Sequence, residues 1–226
     1  MEKSIIQKMI EAEIISVKDI VEYYNDNLKV QVENLPKKSE KPTYSIIENG
    51  ALVKFDERDL NKNGGYITPV GVHTIREYAF SGLDKLTNIT IRKDVIEIEE
   101  SAFESCCNLK SVKMANSVCK LGEHVFDSCI SLVDVKLSSK LKFIPAYTFM
   151  NCINLQQIML PEKLEVIQEC AFGYCENLNI ISNPTEFLMH VDELAFDGAP
   201  IGRDFMIQYY RNKGELNQAK QDELIK

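Results

Sequence analysis

The stretch "IEESAFESCCNLKSVKM", residues 98–114, sets a pattern that recurs along most of this chain. It joins an Ala-Phe pair and a cysteine to a run in which apolar and polar residues alternate. The phenylalanine returns at steps of 23 residues, and finally of 24, at Phe80, Phe103, Phe126, Phe149, Phe172 and Phe196. A repeat of this length predicts a solenoid, because one unit cannot bury its apolar side alone and must stack on the next.

Further apolar positions keep constant offsets from each phenylalanine. In the first five repeats a leucine follows six residues later and a branched residue nine residues later, and in all six an aliphatic residue precedes the phenylalanine by five. The segments "LTNITI", "LKSVKM", "LVDVKL", "LQQIML" and "LNIISN" therefore have the alternation of a strand. Strands at a fixed period predict a parallel sheet along one face of about six stacked coils.

The full pattern, Ile-x-x-x-Ala-Phe-x-x-Cys-x-x-Leu-x-x-Ile-x-Leu, resembles the BspA-like leucine-rich repeat family, as in "IQECAFGYCENLNII" at 167–181. The resemblance covers roughly residues 67–199. It implies an α/β leucine-rich repeat solenoid, a short curved stack with a parallel sheet on one face and irregular or short helical turns on the other. The resemblance also implies surface adhesion or protein binding, for which the family is known, and it implies no catalytic reaction because the family has no shared active site.

The two ends depart from the repeat. Residues 1–42 are predicted as a helical segment, with apolar residues at steps of three and four up to residue 28, followed by a polar linker. Residues 43–66 are predicted as a hairpin cap, because Asn49-Gly50 lies between two apolar runs. Residues 67–199 form the repeat solenoid, and residues 200–226 are predicted as a helical cap. For residues 1–28 a dimer contact is the alternative to a cap.

The charge distribution limits the partners. The net charge is −8, and residues 43–199 carry 14 basic against 22 acidic residues. Such a body repels a phosphate backbone, so we expect no nucleic-acid partner. The first thirty residues show no export signal, and no stretch reaches the roughly 20 apolar residues of a membrane span, so we expect a cytoplasmic protein without membrane insertion. The alternative is a cell-surface or secreted protein whose signal peptide has been removed.

The seven cysteines fall into two groups. Four stand three residues after a phenylalanine and are predicted to form a buried structural ladder: Cys106, Cys129, Cys152 and Cys175. Cys107, Cys119 and Cys170 lie outside that register and are the candidates for exposed thiols, on which a less favoured hypothesis of a thiol-dependent enzyme or redox sensor rests. Cys119 with His124 is one imaginable pair, but no orienting residue is identifiable. We predict no catalytic residue, no metal site and no cofactor.

The outward positions of the predicted sheet are the candidate partner-binding residues. They do not repeat as the core positions do, as expected where a fixed scaffold carries a variable face. The predicted set is Asn88, Thr90, Arg92, Ser111, Lys113, Asp134, Lys136, Gln157 and Met159, with Ile180 and Ser182 last. Lys113 and Lys136 are predicted to stack as a basic spot, with Met159 as an apolar neighbour.

The predicted function is accordingly a non-enzymatic protein–protein interaction module that binds a still unidentified protein on this face. An exported surface adhesin is the alternative if an export signal has been removed. We expect a monomer, or a dimer formed through residues 1–28.

Overall fold

Phenylalanine rings from successive coils stack into a continuous column, which is the axis of the fold. The computed structural model describes residues 44–182 and 187–217, together with residues 220 and 222. The predictions for residues 1–42 lie outside the described residues. Between Phe80 and Phe196 neighbouring ring centroids are 4.7–5.4 Å apart and the rings lie within 17° of parallel. This stacking, with the buried leucine and isoleucine columns beside it, supplies the shared core that single coils lack.

The described residues contain fourteen strands, a short 3-10 helix at Glu57–Asp59 and one α-helix whose bounds lie wholly within them. In order, the strands and the α-helix are β1 (Ile46–Glu48), β2 (Ala51–Lys54), β3 (Gly65–Ile67), β4 (Thr74–Ile75), β5 (Asn88–Ile91), β6 (Glu97–Ile98), β7 (Ser111–Met114), β8 (Lys120–Leu121), β9 (Asp134–Lys136), β10 (Phe143–Ile144), β11 (Gln157–Met159), β12 (Val166–Ile167), β13 (Ile180–Ser182), β14 (His190–Val191) and α1 (Gly202–Lys213). The six repeats expected from the sequence are confirmed.

The coils carry two parallel sheets, so the prediction of a sheet on one face alone was incomplete. The front sheet contains β3, β5, β7, β9, β11 and β13, which are the strands predicted from the alternating segments. The back sheet contains β2, β4, β6, β8, β10, β12 and β14, with β1 at its outer edge. Most back strands are two residues long, which is too short for an alternating pattern to show in the sequence.

The third side of each coil, which we call the turn edge, is built from turns, and the predicted α/β class is wrong for the described coils. The residue two positions after the phenylalanine has a positive φ in all six repeats from Phe80 to Phe196, as at Ser105 (58°) and Asn151 (56°). In five coils the residue two positions before it also has a positive φ, as at Tyr147 (58°). Left-handed residues at this density break a helix, because an L-residue in that conformation cannot continue a right-handed turn.

The predicted hairpin cap is present but belongs to a further, divergent coil. β1 and β2 pair antiparallel across the Asn49-Gly50 turn, and β2 then pairs parallel with β4, placing Leu52 opposite Ile75. Phe55 stacks on Phe80 at 4.5 Å and extends the ring column. β3, which spans the predicted boundary at residues 66 and 67, supplies the front strand of this coil.

The other end of the column is covered by α1. The ring of Phe205 lies 4.7 Å from that of Phe196, and Met206 is buried against the same cluster. The Tyr209 hydroxyl and the Lys213 ammonium both donate to the carbonyl of Met189. Gly214 caps the C-terminus of α1, and its left-handed φ of 70° lets its N–H donate to the carbonyls of the last turn.

Both sheets are interrupted at one place, between the coils of Phe126 and Phe149, which we call the central junction. β9 does not pair with β11, and β8 does not pair with β10. The turn edge stays bonded across it, since the Phe126 N–H donates to the Thr148 carbonyl at 2.8 Å. The central junction thus separates the solenoid into two sheet segments joined through the turns and the core.

Candidate functional site

The outward side chains of the front sheet form one surface, which we call the front face. Parallel register sets Asn88 beside Ser111 and Ser111 beside Asp134, and it sets Thr90, Lys113 and Lys136 in a second row. Gln157 and Met159 head the next segment and align with Ile180 and Ser182. Every predicted partner-binding residue is exposed or half-buried, and Arg92 lies one residue beyond the end of β5.

Lys113 and Lys136 are the centre of the front face. They are direct neighbours in the β7–β9 register, so their Cα atoms are about one strand spacing, ~4.8 Å, apart. Both side chains are exposed, and within the described part of the chain neither has an ion-pair partner. Arg92 adds a third cation and Asp134 one anion, which makes the face net positive on a chain of net charge −8.

Apolar side chains flank the basic pair on both sides. Met159 is 61% exposed and Ile180 is 55% exposed, one and two coils beyond Lys136. On the other side Ile67, 57% exposed, begins the row that continues through Thr90 to Lys113. Ile67 was missed in the sequence because its coil lacks the Ala-Phe pair, although it stands 23 residues before Thr90. The row therefore reads apolar, polar, basic, basic, apolar.

The four ladder cysteines lie in one buried column, and each thiol is bonded to the coil before it. Their sulfur atoms donate to phenylalanine carbonyls: Cys106 to Phe80 at 3.0 Å, Cys129 to Phe103 at 3.2 Å, Cys152 to Phe126 at 3.3 Å and Cys175 to Phe149 at 3.1 Å. Burial raises the pKa of Cys106 and of Cys175 from 9.0 to about 12, and it raises the pKa of the other two well above 9.0. These thiols are protonated at neutral pH and cannot act as nucleophiles there.

The other three cysteines are distributed over different sides of the coils. Cys119 is exposed beside the back sheet, whereas Cys107 and Cys170 are half-buried. Burial and then the charge of Glu169 raise the pKa of the Cys170 thiol, which opposes thiolate formation. No disulfide forms among the seven cysteines.

His124 lies on the turn edge, where its Nδ1 is 3.0 Å from a carboxylate oxygen of Asp127. Asp127 also accepts from the Ser128 hydroxyl at 2.9 Å, and the imidazole stacks on Tyr147 at 4.6 Å. Asp127 is thus the orienting carboxylate that the sequence did not reveal. Within the described residues no hydrogen bond joins Cys119 to His124, so the imagined nucleophile–base pair is not assembled.

A second ladder, of asparagines, was not recognised from the sequence. The side-chain amides donate across one coil to backbone carbonyls: Asn108 to Asp84 at 2.9 Å, Asn154 to Ile130 at 2.7 Å and Asn177 to Ile153 at 2.8 Å. The signal is the Cys-x-Asn-Leu tetrapeptide that three repeats share. This ladder satisfies turn carbonyls that no strand reaches, so its role is structural.

The described residues contain neither a metal-binding cluster nor a membrane-spanning helix. No three His, Cys, Asp or Glu side chains gather there as a metal ion would require. Among the helices of the described segments, none is long and apolar enough to cross a bilayer.

The repeats match a family model, described as BspA type Leucine rich repeat region, with six copies over residues 66–201. A leucine-rich repeat protein from Eubacterium ventriosum has 23% identity and a TM-score of 0.57, over 67% of this chain and 47% of that one. The T. pallidum Leucine Rich Repeat protein has 22% identity and a TM-score of 0.54, over 68% and 86%. A leucine rich cell surface protein from Faecalibacterium prausnitzii has 30% identity and a TM-score of 0.49, over 66% and 32%.

The match to the Eubacterium and T. pallidum structures shows the leucine-rich repeat fold. The matched part of this chain corresponds to about half of the Eubacterium protein and about a third of the Faecalibacterium protein. No curated protein has a matching sequence.

Proposed function

Since the chain belongs to the BspA type leucine rich repeat family, whose members are typically protein-binding and surface proteins, we propose that it is a non-enzymatic protein-binding module whose partner docks on the front face. The observation that carries the proposal is the pair of Lys113 and Lys136. Two exposed ammonium groups stand in register on adjacent strands, without ion-pair partners in the described chain. A fold gains nothing from like charges in this position, because such pairs destabilise a sheet.

The charge of the front face favours an acidic partner. A net-positive surface on a chain of net charge −8 attracts the acidic region of a partner and repels other basic proteins. Charge complementarity of this kind mainly sets the association rate and the specificity of a complex. The affinity then has to come from apolar contacts near the lysines.

Met159 and Ile180 are suited to provide these apolar contacts. Both are large apolar side chains that are more than half exposed, and Met159 stands one coil after Lys136 in the same row, across the central junction. Methionine has three flexible torsions and a polarisable sulfur, so it adapts to different apolar partners. A partner segment that combines acidic residues with a large apolar side chain would therefore contact both the lysines and these apolar residues.

The contrast between the core and the front face supports the same proposal. The ring column keeps phenylalanine in six consecutive repeats, while the first outward row reads Asn88, Ser111, Asp134, Gln157 and Ile180. Stacking of the coils requires similar residues at the core positions, whereas the residues at the solvent-facing positions can vary to match a partner.

The compartment is a separate proposal. Free thiols are typical of a reducing interior, which favours the cytoplasm. The family is typical of surface proteins, which favours the alternative of an exported adhesin that uses the same face. Fractionation of the source cells with an antibody against the chain distinguishes the two.

Residues 1–28 are a second proposed contact, for dimerisation. The proposal rests on the helical spacing of their apolar residues, including Ile10 and Ile14. Light scattering of the full chain should then report a dimer, and Ile10→Glu with Ile14→Glu should give a monomer. A wild-type monomer would contradict it.

Photo-crosslinking tests the front-face proposal. A photoreactive phenylalanine at Gln157 should crosslink the partner in source cells, whereas the same group at exposed Ser139, between the sheets, should not. Equal crosslinking from both positions would contradict a partner on the front face.

A further inference from the structure

We propose that the partner presents an α-helix, lying along the solenoid axis, to the row formed by Ile67, Thr90, Lys113, Lys136 and Met159. The inference rests on the proposed function and names the structural class of the ligand. The row has one member in each of five consecutive coils. The row is apolar at both ends and basic in the middle. A complementary helix would therefore carry a stripe of side chains that is apolar at both ends and acidic in the middle.

The spacing of the row matches a helix. Paired strands are about 4.8 Å apart, so Lys136, Lys113, Thr90 and Ile67 stand at about 0, 4.8, 9.6 and 14.4 Å along the axis, and Met159 lies one coil away from Lys136 across the central junction. With a rise of about 1.5 Å per residue, helix positions i, i+3, i+7, i+11 and i+14 stand at about 0, 4.5, 10.5, 16.5 and 21 Å. At 3.6 residues per turn these five positions share one face.

An extended ligand does not fit the same row. Side chains on one side of a strand recur at about 6.6–6.8 Å, so the third contact is already displaced by nearly 4 Å from its coil. Over the four paired strands, an extended ligand that contacts Lys136 would be out of step at Thr90 and further out of step at Ile67. A helix therefore engages both lysines and the flanking apolar residues, which an extended segment cannot do together.

The predicted stripe follows from charge and hydrophobicity. An apolar residue at position i contacts Met159, acidic residues at i+3 and i+7 contact Lys136 and Lys113, and an apolar residue at i+14 contacts Ile67. Position i+11 lies over Thr90, which accepts a polar residue. With an acidic residue there as well, the stripe reads the same in both directions of the helix.

Two synthetic peptides of one composition test the inference. The first has Leu at i and i+14 and Glu at i+3, i+7 and i+11, on an Ala- and Gln-based helix stabilised by a side-chain lactam on the opposite face. The second keeps the lactam and the composition but moves the three Glu residues to that opposite face. Binding to the full chain is measured by fluorescence anisotropy.

The first peptide is expected to bind at least about tenfold more tightly than the second, and Lys113→Glu with Lys136→Glu is expected to remove that preference. The matched control, Lys140→Glu with Lys163→Glu, changes the same charge on exposed residues of neighbouring coils outside the front strands and should bind within about twofold of wild type.

Equal binding of the two peptides, or binding of neither, would overturn the helical ligand. The front face itself is tested separately by the Gln157 crosslink. A crosslink at Gln157 combined with no preference between the peptides would therefore reject the helix and retain the face. Failure of both would reject the proposed function.

Discussion

Pro145 and Gln168 occupy the same position in successive repeats. The backbone N–H of Gln168 donates to the carbonyl of Ile144, in the preceding coil, at 3.0 Å. Gly122, one coil before Pro145, makes the same bond to Ile98 at 2.8 Å. Proline has no N–H, so the rung between Pro145 and the coil before it cannot form. This missing rung lies at the central junction, where both sheets are interrupted.

Amide hydrogen exchange at the central junction should be faster than at the equivalent positions one coil later. The amides of Lys142 and Gln156 have no backbone acceptor within the described residues, whereas their counterparts at Glu165 and Asn179 donate at 2.7 and 3.0 Å. Exchange protection depends on such bonds. Mass spectrometry that resolves these four amides should find the first pair exchanging faster, and equal protection would show that the central junction is closed in solution.

The adjacent lysines Lys113 and Lys136 should lower the stability of the fold. Like charges opposite one another on adjacent strands destabilise by roughly 0.2–1 kcal/mol. Lys113→Glu and Lys136→Glu, each alone, should therefore raise the free energy of unfolding by up to about that amount. The double variant restores a like-charge pair and should return close to wild type. Urea unfolding of the wild type, the two single variants and the double variant gives the free energies of this double-mutant cycle. If the two single effects add up in the double variant, the two side chains do not interact.

The ladder thiols should make stability fall at alkaline pH. An unfolded chain releases these protons above pH 9.0, whereas the folded pKa of Cys106 and Cys175 is raised to about 12. The unfolded state therefore binds fewer protons between pH 9 and 12, and each such thiol lowers stability by about 1 kcal/mol per pH unit across that window. Below pH 9 this contribution is complete and constant.

Urea unfolding at pH 8, 9 and 10 checks the effect, with Cys106→Ala as the comparison. The variant should be less stable at pH 8, because it lacks the buried sulfur and its bond to Phe80. It should also lose less stability than wild type between pH 9 and 10. A Cys119→Ala control removes an exposed thiol and should leave both the stability and its slope unchanged. Parallel curves for Cys106→Ala and wild type would contradict the assignment.

Gly122 should not tolerate a side chain. A Cβ there would lie 2.4 Å from the backbone nitrogen of Glu100, and backbone cannot move aside as a flexible side chain can. Gly122→Ala should lower the free energy of unfolding by about 1–3 kcal/mol or more, the range of overpacked sites. At Gly173 the nearest atom would be the Cys170 Cβ at 3.2 Å, so Gly173→Ala should cost less. Equal effects in thermal unfolding would show that the coils separate easily at Gly122.

The sequence predicted the front strands and a core shared by stacked coils, because both depend on residues that recur at one spacing. Phe55 escaped prediction because it lies 25 residues before Phe80, although its ring still joins the column. The back sheet escaped because two-residue strands show no alternation. In the sequence the only sign of the central junction is Pro145. That its position requires a backbone N–H is known only from the hydrogen bonds that Gly122 and Gln168 make in the neighbouring coils.

We propose above all that the front face binds an acidic protein through Lys113 and Lys136. Quantitative mass spectrometry of proteins captured from source-organism lysate tests it with the full chain, the Lys113→Glu, Lys136→Glu variant and the matched Lys140→Glu, Lys163→Glu control. We predict at least one protein that wild type and control capture equally and that the front-face variant loses by about tenfold or more, in line with removal of a complementary charge pair. Identical sets of captured proteins from all three forms would contradict the claim.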